Sequence, residues 1–155
     1  EKAFLELPHL FGTSEVLAKA RSLTDDTCAL AAVERLEEIY EKYGRYLNKV
    51  DSFEFPGLSG MDKMAGIMDG LRQNPPAKIG DYAVVKVTDY KKPEETGLPA
   101  ANVLVYKLEG GAEVIVRPSG TEPKIKTYVT AVAADKAVAQ KMGQQLIDES
   151  AAWMA

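Results

Sequence analysis

Short apolar segments separated by turn residues occupy the sequence from residue 49 onward, and this pattern constrains the fold more than any other feature. Residues with high β-propensity predict strands over 50–55, 82–88, 102–109, 112–116 and 125–133. The Gly110-Gly111 pair is typical of a hairpin turn, and hairpin strands pair antiparallel. Apolar residues at helical spacing predict two helices, over 59–72 with Ser59 as N-cap and over 135–153 with Asp135 as N-cap. The sequence therefore predicts an α+β fold with an antiparallel sheet of four or five strands covered by two helices.

The first 48 residues carry a different pattern, with apolar residues at three- and four-residue steps that predict helices. Ser14 is a candidate N-cap for a short helix, and Asp25 or Asp26 is a candidate for a longer one. The apolar positions of the longer helix are Ala29, Val33, Leu36, Ile39, Tyr40, Tyr43 and Leu47. Gly44 weakens the end of this helix and is a candidate to stop it. The apolar positions form one face, which predicts burial in the fold or, where the face is exposed, oligomerisation through these N-terminal helices.

Charge and cysteine content limit the classes of partner. The net charge of −4, from 19 basic and 23 acidic residues, argues against binding to nucleic acid or to an anionic membrane. Cys28 is the only cysteine and His9 the only histidine, so neither an internal disulfide nor a zinc site is expected. A single thiol and the lack of a membrane-length apolar run predict a reducing, cytoplasmic location.

One segment, residues 117–124 with the sequence Arg-Pro-Ser-Gly-Thr-Glu-Pro-Lys, has the composition of an anion site. Arg117 offers a planar charged group that can hold two phosphate oxygens, and the hydroxyls of Ser119 and Thr121 can each donate one hydrogen bond. Gly120 allows the backbone amides to approach an oxygen closely. The alternative is a plain strand connection, because Pro, Ser and Gly are also common turn residues.

The same eight residues closely resemble the phosphate-binding loop in the last domain of the phosphoglucomutase/phosphomannomutase family, the phosphohexomutases. Further similarity to that domain in bacterial phosphoglucomutases is found over residues 36–56, 73–90, 96–104 and 114–130, so the resemblance covers about residues 36–150. It implies a sheet and helices arranged as in the TATA-binding protein. The N-terminal helical segment would precede this domain.

The resemblance also implies roles for individual residues of the 117–124 loop. The loop is expected to bind the phosphate group of a phosphosugar that is not being transferred, or an inorganic anion in its place. The residues expected to bind this phosphate are Arg117, Ser119, Gly120, Thr121 and Lys124. Glu122 is expected to keep the loop in shape, because a carboxylate that faced a phosphate would repel it.

The full enzymes of this family interconvert glucose 1-phosphate and glucose 6-phosphate with three further motifs. One carries a phosphoserine, one holds Mg²⁺, and one reads the sugar hydroxyls. None of the three occurs in this sequence. We therefore predict a domain that binds a phosphosugar weakly and has no catalytic or metal-binding residues. Its partners would be the catalytic domains of the full enzyme, with Mg²⁺ and glucose 1,6-bisphosphate as cofactors there. The chain starts at Glu1 rather than Met, which fits a fragment.

Residues 5–36 resemble a different family, namely a helical segment of the regulatory subunit of ATP phosphoribosyltransferase. The sequence thus predicts a helical segment of separate origin over residues 1–35 and the phosphohexomutase C-terminal domain over residues 36–155. Their junction is expected within a shared helix, which makes a chimaera the first interpretation and a natural divergent N-terminus the alternative. A second functional hypothesis follows. The chain would be a structural or engineered interaction module with exposed N-terminal helices and an unused phosphate loop.

Overall fold

The structure is a computed structural model that describes residues 27–154, with side chains from residue 31 onward. Its helices are α1 (Thr27–Tyr43), α2 (Gly60–Gln73), α3 (Pro93–Thr96) and α4 (Lys136–Ala152). Its strands are β1 (Arg45–Glu54), β2 (Lys78–Ile79), β3 (Tyr82–Asp89), β4 (Leu104–Leu108), β5 (Glu113–Pro118) and β6 (Lys124–Ala133). A single 3₁₀ turn, Glu109–Gly111, connects β4 to β5.

The described strands form one sheet in the order β1-β6-β5-β4-β3-β2, and every neighbouring pair is antiparallel. The predicted α+β class and antiparallel sheet are therefore confirmed. The predicted number of strands was wrong, because the sheet has six strands rather than four or five. The additional strand is β2, which has two residues and pairs with β3. A strand of this length is too short to show an alternating apolar pattern.

The two faces of the sheet differ in composition, as β6 shows most clearly. Ile125, Val129 and Ala131 are buried on one face, whereas Lys126 and Tyr128 lie on the other, which we call the open face. The buried face of the sheet shares one apolar core with α2 and α4. The helical residues of this core are Met64, Met68, Leu71, Met142, Leu146 and Ile147.

Tyr106 lies at the centre of this core and connects three parts of the fold. Its ring is fully buried and packs against the ring of Trp153 with 5.7 Å between centroids, as expected for a tryptophan that holds the last helix against the sheet. Its hydroxyl donates a hydrogen bond of 3.3 Å to the carbonyl oxygen of Leu71 in α2. Burial raises the pKa of Tyr106 to about 12, so the ring stays neutral at physiological pH.

The helix predicted to continue to Leu47 ends earlier. α1 ends at Tyr43, and Gly44 follows with φ +81° and donates a hydrogen bond of 2.9 Å to the carbonyl oxygen of Tyr40. A left-handed glycine in this position terminates a helix. Leu47 instead lies in β1, where burial alternates with a period of two. The helical assignment of Leu47 was wrong because this residue fits both a helical spacing from Tyr43 and the inward positions of a strand. The prediction of Gly44 as the residue that stops the helix is confirmed.

The predicted apolar face of the long helix is only partly buried in α1. Val33 is 4% exposed, whereas Ile39 and Tyr43 are 42% and 60% exposed. The expectation of one fully buried face was therefore wrong for those two residues. The predicted helix at Ser14 and the candidate cap at Asp25 or Asp26 lie outside the described residues.

The positions of the two core helices agree with the sequence pattern, but their N-termini differ. Asp135 accepts hydrogen bonds through Oδ1 from the amides of Ala137 (2.7 Å) and Val138 (3.1 Å), so the predicted N-cap of α4 is confirmed. Ser59 occupies the N-cap position of α2, but its side chain makes no capping hydrogen bond.

None of the helices between residues 27 and 154 has the length and apolar character needed to cross a membrane.

The capping difference can be measured directly. We expect Asp135→Ala to lower the free energy of unfolding by about 1 kcal/mol, because two amides at the start of α4 lose their acceptor. Ser59→Ala is the matched control and should change the free energy by a few tenths of a kcal/mol or less, on the order expected for a surface change. Urea unfolding followed by circular dichroism gives both values. Equal losses in the two variants would show that the cap of α4 does not stabilise the fold.

Candidate functional site

The 117–124 segment forms the turn between β5 and β6, two neighbouring antiparallel strands. The turn opens into a cavity of about 410 Å³ at this end of the sheet. The residues that line the cavity are Arg117, Pro118, Ser119, Gly120, Thr121, Glu122, Lys124, Lys126 and Tyr128. The structure thus brings together all five residues that the sequence analysis selected for phosphate binding.

Hydrogen bonds within the loop hold its shape. The Oγ atom of Ser119 accepts from the backbone amides of Thr121 (3.4 Å) and Glu122 (3.2 Å). The amide of Ser119 in turn donates to the carbonyl oxygen of Lys124 at 2.8 Å, which closes the base of the loop. A hydroxyl that accepts two bonds can still donate its own proton. Ser119 can therefore shape the loop and bind an anion simultaneously.

Arg117 and Lys126 form the most unusual feature of the site. They are directly opposite each other in the β5–β6 register, and both lie on the open face. Two cations in directly opposed positions of an antiparallel pair repel each other and destabilise the sheet. Neither forms an ion pair within the part of the chain that the structure describes. An anion bound between the two cations would reduce this repulsion.

A comparison within the same sheet shows how such a pair is otherwise tolerated. Lys86 and Lys107 are also opposite each other, in β3 and β4. There the Nζ atom of Lys107 lies 3.5 Å from a carboxylate oxygen of Glu113, which compensates one of the two charges. Among the described residues, no carboxylate lies within ion-pairing distance of Arg117 or Lys126. Glu122 lines the same cavity, and its pKa is lowered mainly by its hydrogen bond with Lys124 and further by the charge of Lys126. The positive charge of the pair is therefore only partly compensated.

Glu122 interacts most strongly with Lys124 and more weakly with the charge of Lys126. The side chains of Glu122 and Lys124 form an ion pair, and the amide of Lys124 donates to the carbonyl oxygen of Glu122 at 2.7 Å. The hydrogen bond from Lys124 lowers the pKa of Glu122, and the same bond raises the pKa of Lys124. The charge of Lys124 is therefore partly compensated by Glu122, whereas Arg117 forms no ion pair among the described residues.

Four residues of the cavity were not selected as site residues from the sequence. Pro118 and Glu122 belong to the 117–124 segment itself, whereas Lys126 and Tyr128 lie beyond it in β6. The alternation of β6 places Lys126 and Tyr128 on the open face, and this signal was present in the sequence. Their position beside Arg117 depends on the register of β5 against β6, which the loop length alone does not specify. Tyr128 is 37% exposed and lies opposite Val50 of β1 and Ile115 of β5.

The family resemblance implies that the full enzymes hold Mg²⁺, so the described residues are also compared with the ligands of a metal site. Between residues 27 and 154, the structure contains no group of three or more His, Cys, Asp or Glu side chains that could hold a metal ion. The side chains and amides that line the cavity are of the types that bind anions in proteins.

Comparison with known protein families supports the identity of the domain that carries this site. Residues 82–148 match the family described as phosphoglucomutase/phosphomannomutase, C-terminal domain. A probable phosphomannomutase from Haemophilus influenzae is 37% identical over 99 residues, which cover 64% of this chain and 19% of the relative. A phosphoglucomutase from Staphylococcus aureus is 36% identical over 124 residues, which cover 73% of this chain and 22% of the relative.

Comparison with solved structures agrees at the level of the fold. The crystal structure of pp63/parafusin, a phosphoglucomutase from Paramecium in its open form, superposes with a TM-score of 0.52 and 18% identity. The superposition covers 90% of this chain and 26% of parafusin. The chain thus spans about a fifth to a quarter of the length of these relatives. None of these comparisons favours the interaction-module hypothesis, and the separate origin of residues 1–35 stays a prediction.

The role of Ser119 in loop shape gives a testable prediction. We expect Ser119→Ala to free the amides of Thr121 and Glu122, so that their ¹⁵N order parameters fall from about 0.85 to below about 0.6. Thr121→Ala is the control, since the hydroxyl of Thr121 forms no hydrogen bond within residues 27–154. Unchanged order parameters at Glu122 in Ser119→Ala would show that the loop is held without this hydroxyl.

Proposed function

We propose that the 117–124 loop binds the phosphate group of a sugar phosphate and that the domain serves a phosphoglucomutase/phosphomannomutase in this role. The observation that carries the proposal is the opposed Arg117–Lys126 pair, which forms no ion pair among the described residues and lies in one cavity with the hydroxyls and amides of residues 119–121. The family match includes the whole loop, which supports the same assignment.

The residues of the cavity complement a phosphate dianion in charge and in geometry. The guanidinium of Arg117 holds two oxygens, and Lys126 adds the second positive charge that a dianion requires. The hydroxyls of Ser119 and Thr121 donate to the remaining lone pairs, and the amide of Gly120 approaches without side-chain obstruction. Lys124 contributes less than Arg117, because its ammonium group also pairs with the carboxylate of Glu122.

In the full-length protein, this binding would serve the interconversion of glucose 1-phosphate and glucose 6-phosphate. Phosphoryl transfer is mostly a matter of positioning and charge neutralisation, and the loop supplies both at the phosphate that is not transferred. The phosphoserine, the Mg²⁺ and the residues that read the sugar would belong to other domains. We accordingly propose that the 155-residue chain alone binds the ligand without catalysis. A TATA-binding-protein-like layout and a cytoplasmic location are parts of the same proposal.

Binding can be tested by titrating glucose 6-phosphate into the ¹⁵N-labelled chain and following the amide resonances. We expect a dissociation constant in roughly the millimolar range, because one loop must offset the association entropy with few contacts. The shifts should be centred on residues 119–121. Arg117→Ala and Lys126→Ala should each weaken binding at least about tenfold, since each removes a charge-assisted contact.

The matched control is Lys86→Ala, which removes a cation from another opposed pair on the same sheet. It should leave the affinity unchanged within about twofold, because β3 is separated from β5 by β4. Glucose without phosphate should cause no shifts in the loop. Equal affinities of the Arg117→Ala and Lys86→Ala variants would contradict the proposed site, and so would a response to unphosphorylated glucose.

A further inference from the structure

The rear side of the 117–124 loop rests on the turn that connects β1 to α2, residues 55–60, which we call the loop support. The amide of Phe55 donates a hydrogen bond of 2.7 Å to the carbonyl oxygen of Pro123. Gly60, the first residue of α2, is buried against the same proline. A Cβ atom at Gly60 would lie 2.9 Å from Cβ of Pro123 and 2.0 Å from the carbonyl oxygen of Phe55.

Glycine is required at position 60 because a side chain would clash with its neighbours, and not because the backbone conformation excludes other residues. Gly60 is not among the glycines with a positive φ, so its backbone is open to any residue. Gly66 and Gly70 lie in the same helix, and an added Cβ at either would meet nothing within 4 Å. Of the three glycines in α2, Gly60 is therefore the one that packs closely against the loop, and this packing depends on the absence of a side chain.

A short chain of contacts leads from Gly60 to the anion-binding residues. Gly60 packs against Pro123, and the next residue, Lys124, accepts a hydrogen bond from the amide of Ser119 through its carbonyl oxygen. A displacement of Pro123 would thus move the base of the loop and the amides beyond it. Gly60 itself does not line the cavity of Arg117 and Lys126.

We propose that Gly60 is a positioning residue for anion binding, which acts through Pro123 and the loop support. The support holds the loop in its binding conformation before the ligand arrives, so that little ordering entropy is lost on binding. This inference rests on the proposed function of the 117–124 loop. It adds to that function a residue which lies 57 positions before Arg117 in the sequence and outside the cavity.

The test compares Gly60→Ala with Gly66→Ala in the full 155-residue chain, with inorganic phosphate as the probe. We expect Gly60→Ala to weaken phosphate binding at least about fivefold, because the loop must then be ordered by the ligand. The amide resonances of residues 119–121 should shift in the free protein, and hydrogen exchange at the Phe55 amide should accelerate. Gly66→Ala should leave the affinity, the loop resonances and the Phe55 exchange rate unchanged.

A second variant covers the case in which Gly60→Ala does not fold. Pro123→Gly removes the ring and Cβ that pack against Gly60 but keeps the carbonyl that accepts from Phe55. It should weaken phosphate binding by a similar factor while the hydrogen exchange of the β4–β5 hairpin stays as in the wild type.

The outcomes separate this inference from the proposed function. Wild-type phosphate affinity in a folded Gly60→Ala chain, or in Pro123→Gly where Gly60→Ala does not fold, would overturn the positioning role alone. Absence of phosphate binding by the wild-type chain would overturn the proposed function together with the inference.

Discussion

The register between β5 and β6 is the constraint on which both the core and the site depend. Ile125 is opposite Pro118 and faces the core, and Lys126 is opposite Arg117 and faces the cavity. Because side chains alternate between faces, a shift by one residue would bury Lys126 and expose Ile125. The burial of apolar residues along β6 therefore also positions the two cations. The fold maintains a repulsive pair because the free energy of core packing exceeds the cost of bringing the charges together.

Much of this arrangement could be predicted from local sequence patterns. The alternation of apolar residues over 125–133 predicted β6 within one residue of its start, and the turn at Gly110-Gly111 lies between β4 and β5 as expected. The N-cap of α4 at Asp135 was predicted from residue type alone. The composition of the 117–124 segment selected Arg117, Ser119, Gly120 and Thr121, the family resemblance added Lys124, and the structure places all five in one cavity. These features succeed because each depends on residues close together in the chain.

The remaining features depend on residues that are distant in sequence. The register that opposes Lys126 to Arg117 follows from the packing of the whole sheet, and the contact between Gly60 and Pro123 joins elements 63 positions apart. Leu47 shows a further limit, since its spacing satisfies a helix and a strand equally until Gly44 ends α1. A single sequence contains no direct signal for strand register, for contacts between distant residues, or for a residue whose spacing fits both a helix and a strand.

Each opposed cation pair of the sheet lies beside an ion pair, Lys107 with Glu113 at one end of β5 and Lys124 with Glu122 at the other. Ionic strength screens the repulsion within the cation pairs and the attraction within the ion pairs alike. At physiological ionic strength the screening length is about 8 Å, so charges at neighbouring positions still influence each other. Added salt therefore changes two opposing electrostatic terms at each end of β5, and these changes partly cancel.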